Sequence, residues 1–295
     1  MFRLFRPLIF TKPFVRPLLS ETKGFSAVEA LEYLDNTKKL SIPGFDTNKP
    51  AVFRSAFSDF PAAKKWFKAT NEHSGYPQKL DMGYLEKHGN AIVPLEVTRP
   101  SAHNVQNETF DRVEAPFSLL LAHMGATEGQ DVRLYLAQHL LEDLPAELNK
   151  DLPTPLTFLT CLKARGDIYA SSLWMGRPPT RTPLHRDPNP NLFVQLAGKK
   201  KIRMMTPEVG RGVFERVRQQ IRGAAGDANM RGAEMMQGRE MEDLENAVWG
   251  ENENGVRGWE TTLTAGDALY IPLGWWHAVK GVGEGANGSV NWWFR

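Results

Sequence analysis

The chain has 295 residues, enough for a sizeable core in one large barrel or sandwich. With 36 Lys and Arg against 34 Asp and Glu its formal charge is +2, which argues against a general electrostatic binder of nucleic acid. The single cysteine, Cys161, excludes an internal disulfide and a cysteine-based zinc cluster, as suits an intracellular protein, and no apolar run approaches a membrane span.

Residues 1–20 carry Arg3, Arg6, Lys12 and Arg16 with no acid before Glu21. That pattern resembles a mitochondrial presequence, although Pro7, Pro13 and Pro17 work against the amphipathic helix that import requires; the other reading is a basic arm on the domain. Residues 21–38 read as a helical leader, with Ala27, Leu31 and Leu34 on one side of a short helix over 25–36. A strand is expected over Ala51 to Phe53, then a helix opened by Pro61. Ile92 to Val97 reads as a strand, Thr109 to His123 includes a helix, Leu134 to Gln138 is strand-like, and 144–155 is mostly loop. From Asp167 onward short strands follow one another: 168–175, 182–187, 192–196, 200–205, 268–271 and 289–294. Such spacing predicts a mainly β double-stranded β-helix, a jelly-roll barrel with helices before it. Residues 39–295 form that domain. Residues 207–257 interrupt it as a helical insertion, in which Val213, Phe214, Val217 and Ile221 keep helical spacing and Met230, Met235, Met236 and Met241 follow. The insertion reads as a lid or substrate platform, or equally as a surface addition packed on the barrel.

The stretch Thr182-Pro-Leu-His-Arg-Asp-Pro-Asn-Pro-Asn191 carries the chemistry. His185 and Asp187 are two residues apart, so in a strand they project from one face. A third ligand is offered by Gly266-Asp-Ala-Leu-Tyr-Ile-Pro-Leu-Gly-Trp-Trp-His277, where His277 is expected just past a short apolar strand. Two histidines and one carboxylate make the facial donor set of an open non-haem Fe(II) site.

In order, the segments 49–66, 92–97, 182–201 and 266–277 resemble the JmjC (cupin-like) oxygenases that use Fe(II) and 2-oxoglutarate. The likeness covers roughly residues 39–295. Tyr135-Leu-Ala-Gln-His139 and the string from Thr182 to Gln195 resemble most the JmjC peptidyl-arginine hydroxylases, with the asparaginyl hydroxylases and tRNA-modifying members close behind. The resemblance implies His185, Asp187 and His277 as iron ligands, Tyr135, Thr182, Asn191 and Lys200 as holders of 2-oxoglutarate, Asn291 as a polar residue lining that pocket, and Trp174 as an aromatic beside it. It also implies O2 as second co-substrate, oxidative decarboxylation to succinate and CO2, and hydroxylation of a C–H bond of a protein or peptide side chain. An N-methyl demethylase, a tRNA-base hydroxylase and a catalytically silent binding module stay open, as does a monomer or weak dimer.

Lys200 carries a register expectation. Asn191 to Leu196 and Lys200 to Met205 read as a hairpin turned at Gly198. On the returning strand Lys200, Ile202 and Met204 face inward, while Lys201 and Arg203 face water. A lysine among inward apolar residues needs an anion, and the distal carboxylate of 2-oxoglutarate is one.

Overall fold

The computed structural model describes residues 24–36, 39–69, 77–100, 108–126, 131–221, 236, 238–250 and 256–295. The basic leader over 1–20, Met230 and Met235 lie outside the described residues. The first half contains β1 (Phe25–Ala27), β2 (Glu29–Ala30), β3 (Leu34–Asn36), β4 (Lys39–Ser41), β5 (Ala51–Phe53), α1 (Pro61–Lys65), β6 (Phe67–Ala69), β7 (Pro77–Leu80) and α2 (Met82–Leu85). Next come β8 (Ile92–Pro100), β9 (Glu108–Pro116), α3 (Phe117–Gly125), β10 (Arg133–Leu140), α4 (Ala146–Lys150) and α5 (Leu156–Cys161). The barrel proper holds β11 (Ile168–Gly176), β12 (Thr180–Arg186), β13 (Asn191–Ala197) and β14 (Lys199–Met205). After α6 (Pro207–Gln220) and α7 (Gly238–Trp249) it resumes with β15 (Gly258–Thr264), β16 (Ala268–Ile271), β17 (Trp276–Val282) and β18 (Asn287–Phe294). Among the described residues no helix is long and apolar enough to cross a membrane.

Two sheets face each other. One runs β1-β15-β14-β17-β12, the other β2-β5-β16-β13-β18-β11-β10-β8-β9. This is the jelly-roll expected from the short-strand pattern. The larger sheet outruns the smaller, so β10, β8 and β9 form a wing beyond the edge strand β12. Its outer face packs on the N-terminal helices through Trp66, Phe117, Leu136, Phe158 and Trp292, all buried. The insertion covers the outer face of the smaller sheet. Thr206 caps α6 by accepting from the Val209 N–H at 3.4 Å, Pro207 opens the helix, and Val213, Phe214 and Val217 turn onto Leu184 and Trp276. The same patch takes Leu244 and Val248 of α7.

Several expectations need correction. Residues 25–36 are strands, not the helix of a helical leader: β1 adds in parallel to β15 and β2 to β5, and Phe25 and Val28, not Ala27, are buried. Pairing with a sheet edge outweighs weak local periodicity. Two other expectations hold: 144–155 is mostly loop, with α4 its one short helix, and 109–123 includes a helix, which starts at Phe117 after β9. Strands β13 and β14 do not pair as a hairpin; they lie in different sheets. Gly198, at φ +69°, turns the chain from one sheet to the other, and a Cβ there would stand 2.7 Å from the Ala286 carbonyl oxygen. A glycine at positive φ signals a sharp turn in either topology. Lys200, Ile202 and Met204 face inward as expected, but Arg203 does not face water. Its guanidinium lies between the rings of Phe25 (4.3 Å) and Trp249 (4.8 Å), donates to the Val248 carbonyl at 2.5 Å and pairs with Glu260 at 2.7 Å, which fixes the end of α7 to the barrel.

Candidate metal and co-substrate site

The metal-ligand candidates come together on the inner face of β12 and β17. His185 and His277 are direct cross-strand partners, their ring centroids 4.2 Å apart. His277 is the second residue of β17, not a residue beyond a strand end; the strand begins at Trp276. One extra residue on β12 between Thr182 and His185 makes a bulge against Val279 and His277. That insertion is what lets Thr182 and His185, three apart, both point inward while Leu184 packs outward on Trp276. Pro183 within this edge strand marks the place.

Asp187, just past β12, completes the group. Its Oδ1 lies 3.8 Å from His185 Nε2 and its Oδ2 3.5 Å from His277 Nε2. All three ligand atoms fall within 4.8 Å of one another. His185 Nδ1 lies 2.8 Å from the Pro183 carbonyl oxygen and His277 Nδ1 3.4 Å from that of Trp275. A carbonyl only accepts, so Nδ1 carries the proton and each Nε2 turns its lone pair toward Asp187. Burial, with His277 alongside, lowers the His185 pKa to about 4, so the ring is neutral at pH 7. Two imidazole nitrogens and one carboxylate, buried and aimed at a common point, suit a divalent transition metal, and orienting bonds on the far ring nitrogens are the usual support for such ligands.

The cavity running from these residues has a volume of about 20 Å3 and is lined also by Tyr135, Trp174, Thr182, Asn191, Lys200 and Asn291. The structure therefore brings all nine sequence-derived positions into one space. Gly176 makes room for Tyr135, whose ring a Cβ there would meet at 2.5 Å. Lys200 is 2 % exposed. Its ammonium donates to Ser289 Oγ at 2.6 Å and to Tyr135 Oη at 3.3 Å, and lies 5.2 Å from the Phe193 ring centroid. No carboxylate among the described residues is in ion-pair range of it, and burial pushes its pKa down to about 7. Ser289 is absent from the sequence reading. It was within reach: on β18 it is in phase with Asn291, so one inward residue implies the other.

Beside this cavity, with Tyr135 as common wall, a cleft of about 440 Å3 opens between the edge strand β12 and the wing. It is lined by Glu96, Glu108 and Arg133 from the wing, Thr180 and Arg181 from β12, Lys280 from β17, and Met236 and Glu245 from the insertion. Its charges are paired: Glu96 with Arg112 at 2.8 Å, Glu108 with Arg133 at 2.6 Å and Arg181 at 2.5 Å, and Glu245 with Lys280. Glu96 is buried, and burial raises its pKa although Arg112 opposes the shift.

Comparison with known proteins points the same way. A cupin-like domain family matches residues 45–295. Jumonji C domain-containing protein 5 of Drosophila melanogaster is 25 % identical over 85 % of this chain and 56 % of its own. Lysine-specific demethylase JMJ30 of Arabidopsis thaliana is 26 % identical over 83 % of this chain and 49 % of its own. Lysine-specific demethylase 8 of Danio rerio is 29 % identical over 94 % of this chain and 60 % of its own. The chain thus spans about half the length of the curated relatives it matches.

Proposed function

Because the chain belongs to the cupin-like JmjC family, we propose that it is an Fe(II)- and 2-oxoglutarate-dependent oxygenase that hydroxylates a C–H bond of a protein side chain. The observation that carries this reading is a buried cavity with metal donors at one end and, at the other, the Lys200 ammonium, which has no carboxylate in ion-pair range among the described residues. His185, Asp187 and His277 hold the metal. Lys200, with Ser289, Tyr135 and Thr182 around it, takes the distal carboxylate of 2-oxoglutarate through charge-assisted hydrogen bonds. Bound Fe(II), with O2 and 2-oxoglutarate, supplies the oxidising chemistry and leaves succinate and CO2 as co-products. The chain's part is to hold and orient the ligands and exclude water by burial.

The cleft beside the cavity is the place for the substrate chain. Glu96 and Glu108 on its wing already bind guanidinium groups, and arginine is the residue we assign: a substrate guanidinium can exchange with Arg112 at Glu96, or with Arg133 and Arg181 at Glu108. A second reading rests on relatives named lysine-specific demethylases. Hydroxylating an N-methyl group gives an unstable hemiaminal, so the same site would remove the methyl group. The test is mass spectrometry of arginine peptides and N-methyl-lysine peptides incubated with enzyme, Fe(II) and 2-oxoglutarate. A gain of about 16 Da supports hydroxylation and a loss of about 14 Da supports demethylation, because the first adds one oxygen and the second replaces a methyl group by hydrogen. No product from either, with succinate formation also absent, would overturn the enzyme reading in favour of a binding module.

A further inference from the structure

Asn191 and Asn291 form a chain of hydrogen bonds whose polarity is fixed from one end. At that end the carboxylate oxygen Oδ2 of Asp187 is the acceptor. Asn191 therefore turns its Nδ2 to Asp187 Oδ2, at 2.8 Å. That leaves Asn191 Oδ1 to accept, and Asn291 Nδ2 donates to it at 2.9 Å. Neither amide can flip without setting acceptor against acceptor. Both amides are buried, 1 % and 3 % exposed. The far end of the chain is anchored, since Asn291 lies within β18, between β13 and β11. The near end needs such an anchor. Asp187 lies past the end of β12, in the Asp187-Pro-Asn-Pro190 connection, outside the β-ladder.

We propose that Asn291, acting through Asn191, is a positioning residue that orients the Asp187 carboxylate for the metal. Asn191 holds Oδ2, restricting rotation of the carboxylate and aligning it with the two imidazoles; Asn291 keeps Asn191 from turning over. This gives both asparagines a part in metal binding, separate from the contacts with 2-oxoglutarate that the family resemblance implies for Asn191. The inference rests on the metal reading above, and its test keeps the two apart.

The experiment is a titration with Mn(II) alone, without 2-oxoglutarate, read by electron paramagnetic resonance on wild type, Asn191→Ala, Asn291→Ala and the double variant. Thermal unfolding of each variant checks folding, and Asn291→Ser replaces Asn291→Ala if the latter does not fold. Asn191→Ala should weaken Mn(II) binding about 10- to 100-fold, the usual cost of removing a partner of a metal ligand. Asn291→Ala should weaken it by roughly three- to tenfold in wild type and by less than about twofold in the Asn191→Ala background, because its effect runs through Asn191. Equal losses in the two backgrounds would overturn the relay, as would wild-type affinity in Asn191→Ala. Wild-type protein whose Mn(II) binding is absent, or unchanged by His185→Ala, would overturn the metal reading itself and the relay with it.

Discussion

The two ends of the cavity are built on opposite principles. At the β12–β17 end, three metal-ligand groups converge, and a backbone carbonyl beside each Nδ1 orients the two imidazoles. At the β14–β18 end, an ammonium is buried against two hydroxyl groups, with no carboxylate in ion-pair range among the described residues. Each end alone is costly, since buried polar and charged groups want partners of opposite character. A metal chelated by a dicarboxylate satisfies both at once, so the contrast between the ends reads as the outline of a ligand pair.

The largest effect should come from breaking the donor end. His185→Ala or Asp187→Ala should abolish Fe(II)-dependent succinate formation while thermal unfolding shows a folded barrel, because the ligands sit in a cavity and are not core packing. Unchanged turnover in either variant would remove the metal assignment. Breaking the cationic end should come next. Lys200→Ala deletes one side of a buried charge pair, about 2–5 kcal/mol, and should raise the 2-oxoglutarate requirement roughly 30- to several-thousand-fold. The pH dependence sharpens the same end. With its pKa lowered to about 7, Lys200 in the free protein loses its proton as pH rises through 7. The carboxylate needs the protonated form, so binding takes up a proton, and the 2-oxoglutarate Kd should rise up to about tenfold per pH unit above 7 until the complex itself deprotonates. A Kd flat from pH 7 to 9 would contradict this. Ser289→Ala removes one neutral partner of the ammonium and should cost on the order of tenfold in Kd. The smallest effect is at Lys199 and Lys201: Lys199 is exposed and Lys201 pairs with Glu260 outside the cavity, so alanine at either should shift the 2-oxoglutarate requirement less than about threefold.

The contrast between the ends also shows how legible the site was. His185 and Asp187 announced themselves by spacing, and Lys200 by alternation with Ile202 and Met204, because period-2 reasoning needs only the strand. Thr182, Tyr135, Asn191 and Asn291 came through family resemblance, since their convergence depends on sheet pairing. Thr182 in particular would fall on the wrong face of a regular strand carrying His185; only the bulge at Pro183 brings it in. The short strands from Asp167 onward marked the jelly-roll, but not its partition into sheets. Gly198 looked like a hairpin because local turn chemistry does not say which sheet the chain enters next. Arg203 looked solvated because the α7 cap that covers it comes from residues more than 40 positions downstream. The cleft, formed by strands β8 to β10 against β12, has no local signal at all.

The most direct test of the central claim is calorimetric titration of 2-oxoglutarate into Mn(II)-loaded wild type, His185→Ala and Lys200→Ala. If one ligand spans both ends, wild type binds, and each variant loses most of that affinity although the two substitutions stand at opposite ends of the cavity. Wild-type affinity retained in Lys200→Ala would contradict the account, because 2-oxoglutarate would then bind without the buried ammonium.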